Sequence, residues 1–500
     1  MLARYDFMML TTLLLAFQVR AAVAPSLPQR DIPDPGVIAT DQRVTPAGVQ
    51  SVFKGRVGGV RFGATSSELW VAAPGGAYRM SWRDNRVIAH GEYDGRPGVQ
   101  GIAFDAVTNR AYVSSIGRLP ASVANNRLPG EKEKPGARVI AQVRAFALGG
   151  NPPEVPGTPP KAALAFRSDS IGDYLAGAPS VAQRKNTSGH RPLVVPLPAN
   201  DRLAIFDADD GTSLGAVALG VLPVASVTST DGATAWVSVF GGPKPTKRDR
   251  AAAQCCDPRV EPVRIDARGI ALPGSVVQVD LVTQKVTATI ETGLHSSGIA
   301  WDQARGLLYV ANGNSDDVSL VDTRAARKTG TIAVAPFHER KIGLAPTAVA
   351  LSPDGHTLFV ALGGLNAVAM YDVSAGTARD ARLLGLIPTG WYPTSLDVSA
   401  DATTLAVGTL LGVGSGQGET QSGHPGAKGS YVHANRGSVN VIAIPTAAQL
   451  TAFTTGVAQN NRLTLLKDAA RDIAPRRDIA ARVVPERPGE PSPIQHVVFI

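Results

Sequence analysis

Short apolar segments separated by polar turns recur along most of the chain. In residues 298–313 (GIAWDQARGLLYVANG) and 348–363 (AVALSPDGHTLFVALG), an apolar segment, a polar turn and a second apolar segment follow one another. Residues 101–115 and 395–409 repeat the pattern, with Asn-Arg or Asp-Ala in the turn where 348–363 has Asp-Gly. Polar turns of this kind between apolar segments are typical of β-hairpins. The pattern therefore predicts a repeated pair of antiparallel strands.

Each predicted hairpin is followed by two further predicted strands. Val318–Asp322 (VSLVD) and Leu203–Asp207 (LAIFD) are examples of the third strand, and Thr329–Val334 is an example of the fourth. Four antiparallel strands in each repeat predict the blades of an all-β fold, the β-propeller. The innermost strands are expected to begin near residues 58, 100, 180, 224, 297, 347 and 394. The sequence thus predicts a seven-bladed β-propeller over residues 42–445.

The last repeat lacks a fourth strand of its own. After the strand at 437–444, residues 446–457 have a helical period, with Leu450 and Val457 on one face. Gly48–Phe53 precedes the first innermost strand and is predicted to supply the missing strand. Pairing of the two chain ends would close the last blade and leave no open sheet edge at the seam.

Composition supports this fold class and excludes others. Hydrophobic residues make up 44% and charged residues 18%, which excludes a disordered or coiled-coil chain. The 52 glycines and 37 prolines supply turns for many short strands. The net charge of +8 is small for 500 residues and aromatic residues are only 5%, so we expect no nucleic-acid partner. We also expect no membrane span, because no apolar run reaches about 20 residues.

The N-terminus predicts export. Residues 1–22 combine the positive Arg4, an apolar run at Phe7–Phe17 and the small residues Ala21 and Ala22 at the expected cleavage site. We therefore expect a signal peptide at residues 1–22 and a periplasmic or secreted protein. The alternative for this segment is a buried N-terminal helix.

The two cysteines are neighbours in the sequence, Cys255 and Cys256. Adjacent Cα atoms lie about 3.8 Å apart, below the usual range for a disulfide. A bond between them would be strained, and the sequence leaves open whether it forms. Two cysteines with no nearby histidine are also a poor zinc site.

Long insertions are predicted on one face of the propeller. Residues 116–138, 241–274 and 411–437 lie between second and third strands, and 167–178 links a fourth strand to the next first strand. These two kinds of connection emerge on the same face of a propeller. Loops on a rigid scaffold often carry binding residues, so this face is the candidate binding face. The alternative is that the insertions are solvated loops without a role.

The repeat register also predicts a ring of residues at the channel mouth. Arg56, His295 and Tyr392, with Trp391 beside it, are the polar or aromatic members of this ring. A cation, an imidazole and an aromatic pair suit a small anion or a sugar, and we expect a phosphate-containing or other anionic ligand. The alternative is a water-filled mouth with an ordinary lining. The complete ring is Arg56, Gly98, Ala178, Leu222, His295, Ala345 and Tyr392.

Several segments resemble a known family of repeats. Leu308–Asn312 (LYVAN) and Val318–Asp322 (VSLVD), with Ser352–Gly355 (SPDG) and Phe359–Ala361 (FVA), resemble the YVTN-type, YncE-like seven-bladed β-propellers. The resemblance covers about residues 42–445. It implies the same fold that the repeat pattern predicts.

The tail resembles a domain junction. Residues 446–463 and Pro485–Ile500 look like the junction in bifunctional proteins that join such a propeller to an alkaline phosphatase-like phosphoesterase. The resemblance implies a helix and Pro-rich linker at 446–492 and the first strand of a truncated phosphoesterase domain at 493–500. The metal and phosphate motif of that family would follow Ile500. No catalytic residue, metal ligand or cofactor is therefore assigned to this chain, and a divalent metal is expected for the absent domain.

Three functions follow as hypotheses. The first is the exported propeller portion of a propeller–phosphoesterase, which binds a substrate or partner while the C-terminal phosphoesterase domain hydrolyses phosphate esters. The alternative is a free-standing periplasmic YncE-like propeller that acts as a binding or scaffold module. The third is a propeller lactonase-like hydrolase, which the predicted ring supports less well because it supplies one histidine and no acid.

Overall fold

The computed structural model describes most of the repeat region and short parts of the tail. The predicted signal peptide 1–22, Cys255 and Cys256, and residues 495–500 of the predicted last strand lie outside the described residues. The described residues are 27–30, 32, 36–93, 95–119, 138–151, 159–173, 175–253, 260–337, 343–417, 430–463, 478–483 and 490–494.

Most of the described residues lie in β-strands. In chain order, the first strands are β1 (Val49–Val52), β2 (Gly59–Phe62), β3 (Glu68–Ala73), β4 (Gly76–Ser81), β5 (Arg86–Glu92), β6 (Arg96–Asp105), β7 (Arg110–Leu119), β8 (Arg138–Asn151), β9 (Lys161–Asp173), β10 (Ser180–Val181), β11 (Pro192–Leu197), β12 (Arg202–Asp207), β13 (Ser213–Ala218), β14 (Pro223–Thr228), β15 (Thr234–Val239) and β16 (Ala251–Ala252). The remaining strands are β17 (Val263–Arg264), β18 (Ser275–Asp280), β19 (Lys285–Glu291), β20 (Ser296–Asp302), β21 (Leu307–Asn312), β22 (Asp317–Asp322), β23 (Arg327–Ala333), β24 (Pro346–Leu351), β25 (Thr357–Leu362), β26 (Ala367–Asp372), β27 (Arg382–Pro388), β28 (Trp391–Val398), β29 (Thr404–Gly412), β30 (Ser415–Gln417), β31 (Ser430–Asn435) and β32 (Ser438–Ala443). The helices are a short 3-10 turn at Pro198–Asn200 and α1 at Ala447–Asn460.

Most strands form antiparallel sheets in which neighbouring strands follow one another along the chain, whereas β1 joins the last strands. The four-stranded sheets have the orders β1-β32-β29-β28, β10-β11-β12-β13, β14-β15-β18-β19, β20-β21-β22-β23 and β24-β25-β26-β27. An eight-stranded sheet, β2-β3-β4-β5-β9-β8-β7-β6, consists of two four-stranded meanders. The meanders meet where the outer strands β5 and β9 pair in parallel at His90 and Lys161.

The innermost strands of these sheets surround a common space, which we call the central channel. Strands β2, β6, β10, β14, β20, β24 and β28 each contact the next in this order, and β28 contacts β2. Large apolar side chains fill the spaces between neighbouring sheets, as Trp70 and Ile102 do between the first two meanders. Four-stranded antiparallel sheets packed face to face around a channel define a β-propeller-type fold.

The two ends of the repeat region pair as expected. Val49 pairs with Val441 and Val52 pairs with Ser438 in the antiparallel ladder of β1 and β32. The backbone N–H of Phe53 extends this ladder with a 2.8 Å hydrogen bond to a carbonyl in the insertion before β32. The N-terminal strand thus occupies the outer position of the sheet that the C-terminal strands form.

The predicted helix after the last strand is present as α1. Thr446 caps it, because its side chain accepts from the Gln449 N–H while the Gln449 side chain accepts from the Thr446 N–H. Leu450 lies against Gly385 of β27, where an added Cβ would come within 2.6 Å of Leu450 Cγ. The absence of a side chain at Gly385 therefore lets the helix pack closely on the sheet.

One expected loop is instead a strand. The segment 167–178 was predicted to be a long linker, but β9 continues to Asp173 and pairs with β8 as far as Ile140. The ladder between β8 and β9 shifts register at three places, between Ala141 and Val143 among others. Each bulge breaks the period-two alternation that identifies a strand in a sequence, which explains the wrong prediction.

Candidate functional site

Several predicted rim residues share an unusual backbone conformation. Leu222, His295, Ala345 and Tyr392 have φ angles of 58°, 58°, 50° and 60°. Positive φ is uncommon for residues other than glycine, so a local network must hold these positions. Each of the four precedes the main body of an innermost strand, and they are therefore equivalent positions of the repeat. Arg56 and the other two predicted ring positions do not have this conformation.

Two sets of hydrogen bonds hold the rim residues. In one set, the carbonyl of a rim residue accepts from the N–H of the residue that follows the second strand of the same sheet. In the other set, the N–H of a rim residue donates to an Asp or Asn side chain in a turn that joins a second strand to a third strand. The carbonyls of Leu222, His295 and Ala345 accept from Phe240, Gly313 and Gly363 at 2.9, 3.0 and 3.0 Å. The N–H groups of Leu222, Ala345 and Tyr392 donate to Asp201, Asp316 and Asn366, each at 3.1 Å. The rim backbone is thus rigidly positioned.

The aromatic rim side chains lie back over the preceding sheet. His295 stacks on Phe240, with ring centroids 4.0 Å apart and planes at 14°. Tyr392 lies over Gly363, where an added Cβ would come within 2.9 Å of Tyr392 Cε2. Phe240 and Gly363 are equivalent positions, so the two rings are placed in the same way at different sheet boundaries. His295 therefore belongs to a different neighbourhood from Tyr392.

The charge state of His295 also differs from that of a solvated imidazole. Burial lowers the pKa of His295 from its ordinary value. A side-chain hydrogen bond between His295 and Asn314 acts in the opposite direction but does not cancel this effect. The ring is half-buried. At neutral pH His295 is therefore a neutral stacking partner and contributes no positive charge to the face.

Arg56 supplies positive charge just before β2, the innermost strand that neighbours β28. It is exposed in the link between β1 and β2, and β2 lies next to β28, the strand that carries Trp391 and Tyr392. Incomplete solvation and then the positive charge of Arg96 lower the pKa of Arg56, which stays protonated at neutral pH. The nearby Arg96 is a member of the site that the sequence did not indicate. Trp391 on β28 is half-buried.

A second residue that sequence reasoning missed lies in the channel itself. Gln100 is 9% exposed and has a φ of 48°. Its Nε2 donates to the Thr347 carbonyl at 3.0 Å, which joins β6 to β24 across the channel. Ser297 and Thr394 occupy equivalent positions in other repeats, and only glutamine is long enough to cross. Nothing in the local apolar pattern distinguishes such a residue from a surface polar residue.

Metal-ligand clusters and membrane-spanning helices are both missing from the described residues. Among the described residues, no group of three or more His, Cys, Asp or Glu side chains is placed to hold a metal ion. In the same part of the chain, no helix has the length and apolar character needed to cross a bilayer.

Comparisons with known proteins do not assign this chain to a family. No family model and no curated protein matches the chain. Hydrazine synthase of Kuenenia stuttgartiensis is similar in structure, with 12% sequence identity, a TM-score of 0.48 and coverage of 75% of this chain and 96% of that chain. A structure of the mitotic checkpoint complex has 12% identity and a TM-score of 0.48, and covers 80% of this chain and 96% of that chain. Similarity at this level carries no argument about function, so the strand topology alone defines a β-propeller-type protein.

Proposed function

We propose that this chain is an exported, seven-bladed binding propeller that takes a small phosphate-containing or other anionic ligand on the face bearing Arg56. The observation that carries the proposal is the pairing of the exposed Arg56 with Arg96, whose positive charge acts, after burial, to lower the pKa of Arg56. Neither guanidinium forms an ion pair within the described residues. Two adjacent cations without an acidic partner favour a doubly charged anion over water.

The rim geometry supports a binding role for the same face. Trp391 and Tyr392 lie on the strand next to Arg56 and are half-buried, so each offers part of an aromatic surface to a ligand. An organic phosphate would place its charged group near the arginines and its carbon skeleton against these rings. His295 lies at another boundary and is not needed for this arrangement.

The count of seven blades is supported by the sheet orders. The four-stranded sheets together with the two meanders of the eight-stranded sheet give one unit for each innermost strand around the channel. Pairing of β1 with β32 supplies the outer strand of the last unit.

The larger context is inferred from sequence. The apolar N-terminus at 1–22 supports export to the periplasm or beyond, and the tail resembles a junction to an alkaline phosphatase-like phosphoesterase. In that context the propeller binds a phosphate ester or a partner, and the C-terminal domain supplies the divalent metal and the hydrolysis. The alternative is a free-standing YncE-like propeller that acts as a binding or scaffold module without an attached hydrolase.

Titration calorimetry of the chain with glycerol 2-phosphate at low salt tests the proposal. The double substitution Arg56→Ala with Arg96→Ala should weaken binding at least tenfold, because both charges are lost. His295→Ala should change the affinity less than twofold, and Arg86→Ala, an exposed arginine on an outer strand, is the matched control. Raising the salt to about 0.5 M should also weaken binding, since exposed charges are screened. Absence of binding by the parent, or equal binding by the double variant, would remove the anion site.

A further inference from the structure

The wall of the central channel carries one arginine whose guanidinium bridges two innermost strands. Arg61 Nη1 donates to the carbonyl of Val60 at 2.9 Å and to that of Leu396 at 3.0 Å. Both carbonyls belong to strands β2 and β28, which have no partner strand on the channel side. The guanidinium therefore lies at the channel wall, across the boundary between the first and last sheets.

The remaining nitrogens of Arg61 are open to the channel. Within the described chain, Nε and Nη2 make no hydrogen bond, and neither is among the buried atoms that lack a partner. The side chain as a whole is half-buried. The Nε and Nη2 edge of a guanidinium is one that binds a carboxylate through two parallel hydrogen bonds.

A carboxyl group lies beside this guanidinium. Asp397 of β28 accepts a 2.7 Å hydrogen bond at Oδ2 from the Phe62 N–H of β2. Burial raises the pKa of Asp397, while the positive charge of Arg61 and the backbone N–H groups of Phe62 and Val398 act to lower it. The Asp397 side chain is half-buried and senses the charge of Arg61, but no ion pair within 4.0 Å joins the two side chains. A carboxylate has about four acceptor positions, so acceptor capacity remains beyond these backbone bonds.

Small side chains occupy the equivalent positions on the other innermost strands. The equivalence is given by the ladders, in which Arg61 pairs with Trp70 as Ala300 pairs with Tyr309 and Asp397 pairs with Ala406. The side chains at this level are therefore shorter than those of Arg61 and Asp397, and Val227, Ala300 and Ala350 are only partly buried where they pack against the neighbouring sheets. The other members found through the same register are Ala103, Val227, Ala300 and Ala350.

The channel is crossed above this level. Gln100 reaches the Thr347 carbonyl, and Thr347 lies three residues before Ala350 on β24. At about 3.3 Å per residue the crossing lies about 10 Å from the level of Arg61 and Asp397. The crossing lies between this level and the rim face, so the level of Arg61 and Asp397 is nearer to the opposite face.

We propose that this part of the channel binds a small zwitterion, with its carboxylate on Arg61 and its ammonium on Asp397, as in a free amino acid. A lone arginine would favour any small anion and a lone aspartate any small cation. Their placement side by side makes the site nearly neutral overall, so a singly charged ligand meets one group of its own sign. A ligand with both charges satisfies both groups, and the short wall side chains limit its size.

The experiment titrates the full chain with carbon-13-labelled glycine and follows broadening of the glycine resonance by nuclear magnetic resonance. Acetate and methylammonium, which each carry one of the two charges, should bind at least tenfold more weakly than glycine. Arg61→Met and Asp397→Asn should each weaken glycine binding at least tenfold. Asn retains an oxygen that can accept from the Phe62 N–H, so this variant should keep the strand contact.

Two further variants protect the test against loss of folding. Ala300→Leu leaves both charged groups in place but fills the space, and should abolish glycine binding. Arg86→Met removes an exposed arginine from an outer strand and should leave binding unchanged. The proposal is overturned if the parent does not broaden the glycine signal, if acetate binds as tightly as glycine, or if Ala300→Leu binds glycine like the parent.

Discussion

Two neighbouring sheet boundaries bury a basic side chain in opposite ways. His90 lies between the first meander, β2 to β5, and the second, β6 to β9, and its Nε2 is buried without a hydrogen-bond partner. Arg191 lies between the second meander and the sheet of β10 to β13, and has ion pairs to Asp105 and Asp209. Both residues are 4% exposed. The two side chains are thus equally buried, but only Arg191 has partners for all of its buried polar atoms.

The Arg191 boundary is a network of mutual partners. Arg191 Nε donates to Asp209 Oδ1 at 2.9 Å, Nη2 donates to the Tyr112 hydroxyl at 3.2 Å, and Nη1 donates to Asp105. Asp105 also accepts from the Val107 N–H at 2.9 Å. Burial alone would lower the pKa of Arg191, but Tyr112, Asp105 and Asp209 together raise it. The cation is therefore stable at any ordinary pH, provided that its partners are present.

The His90 boundary works only with a neutral ring. His90 packs on Tyr78, with ring centroids 4.6 Å apart, and a Cβ added to Gly76 would lie 2.0 Å from its Nε2. Burial, together with the smaller effect of the positive charge of Lys161, lowers the pKa of His90 to about 4. A buried basic group that is fully paired thus keeps its charge and depends on its partners, whereas the stability linked to an unpaired one depends on pH.

Removal of the Arg191 guanidinium should lower the free energy of unfolding more than any other change considered for these boundaries. Arg191→Met leaves the Asp105 carboxylate buried without its cation, and such losses typically cost about 3–5 kcal/mol. We expect that decrease in the free energy of unfolding, measured by urea denaturation at pH 7. The double variant Asp105→Asn with Arg191→Met should recover part of the loss, because no uncompensated charge remains. If the free energy of unfolding of Arg191→Met lay within about 1 kcal/mol of that of the parent, the ion pairs of Arg191 would not be needed to stabilise this boundary.

Acid should lower the stability of the protein through the boundary that buries His90. The folded-state pKa of His90 is about 4, below the unfolded value of about 6.5, so the unfolded chain binds the proton more tightly. The stability tied to neutral His90 is fully present above pH 6.5 and is lost as the pH falls toward 4. The shift corresponds to about 3 kcal/mol at its limit.

His90→Phe should remove this part of the pH dependence while keeping a ring against Tyr78. Urea denaturation of parent and variant between pH 7 and pH 4.5 measures it, and the two curves should converge or cross at the acid end. His356→Phe is the control, since that histidine is exposed on a turn. Identical pH profiles for the parent and His90→Phe would show that the buried ring does not govern acid stability.

The sequence anticipated the ladders far better than these boundaries. Innermost strands were expected near 224 and 347, and they begin at Pro223 and Pro346 because short apolar segments bounded by turns leave a local signal. Gly48–Phe53 could be placed because one repeat lacked a strand. By contrast, Arg191 and Asp105 are 86 positions apart, and nothing in either segment records their contact.

For the rim, the sequence indicated equivalent backbone positions, and the role of the rim residues stays a prediction. Repeat register identifies equivalent backbone positions, and His295 and Tyr392 do share a backbone conformation. Register does not fix the direction of a side chain or its neighbours. The stacking of His295 on Phe240, the charge of Arg96 beside Arg56, and the crossing by Gln100 all depend on packing between sheets, which a single sequence does not encode locally.

An exposed ion pair should have the smallest effect and completes the contrast. Arg462 and Asp41 join the end of α1 to the segment before β1, with Nη2 to Oδ1 at 2.8 Å, but their side chains are 52% and 75% exposed. Water screens such a pair, and the side chains lose entropy by forming it, so exposed pairs contribute about 0–1 kcal/mol. The same two segments are also joined by Gln42, which donates to Asn461 Oδ1 at 2.6 Å. We therefore expect Arg462→Met to lower the free energy of unfolding by less than about 1 kcal/mol, with no further loss in high salt. A loss as large as that for Arg191→Met would mean that burial does not separate the two kinds of pair, and that closure of the chain ends depends on the charges rather than on Gln42 and the β1 ladder.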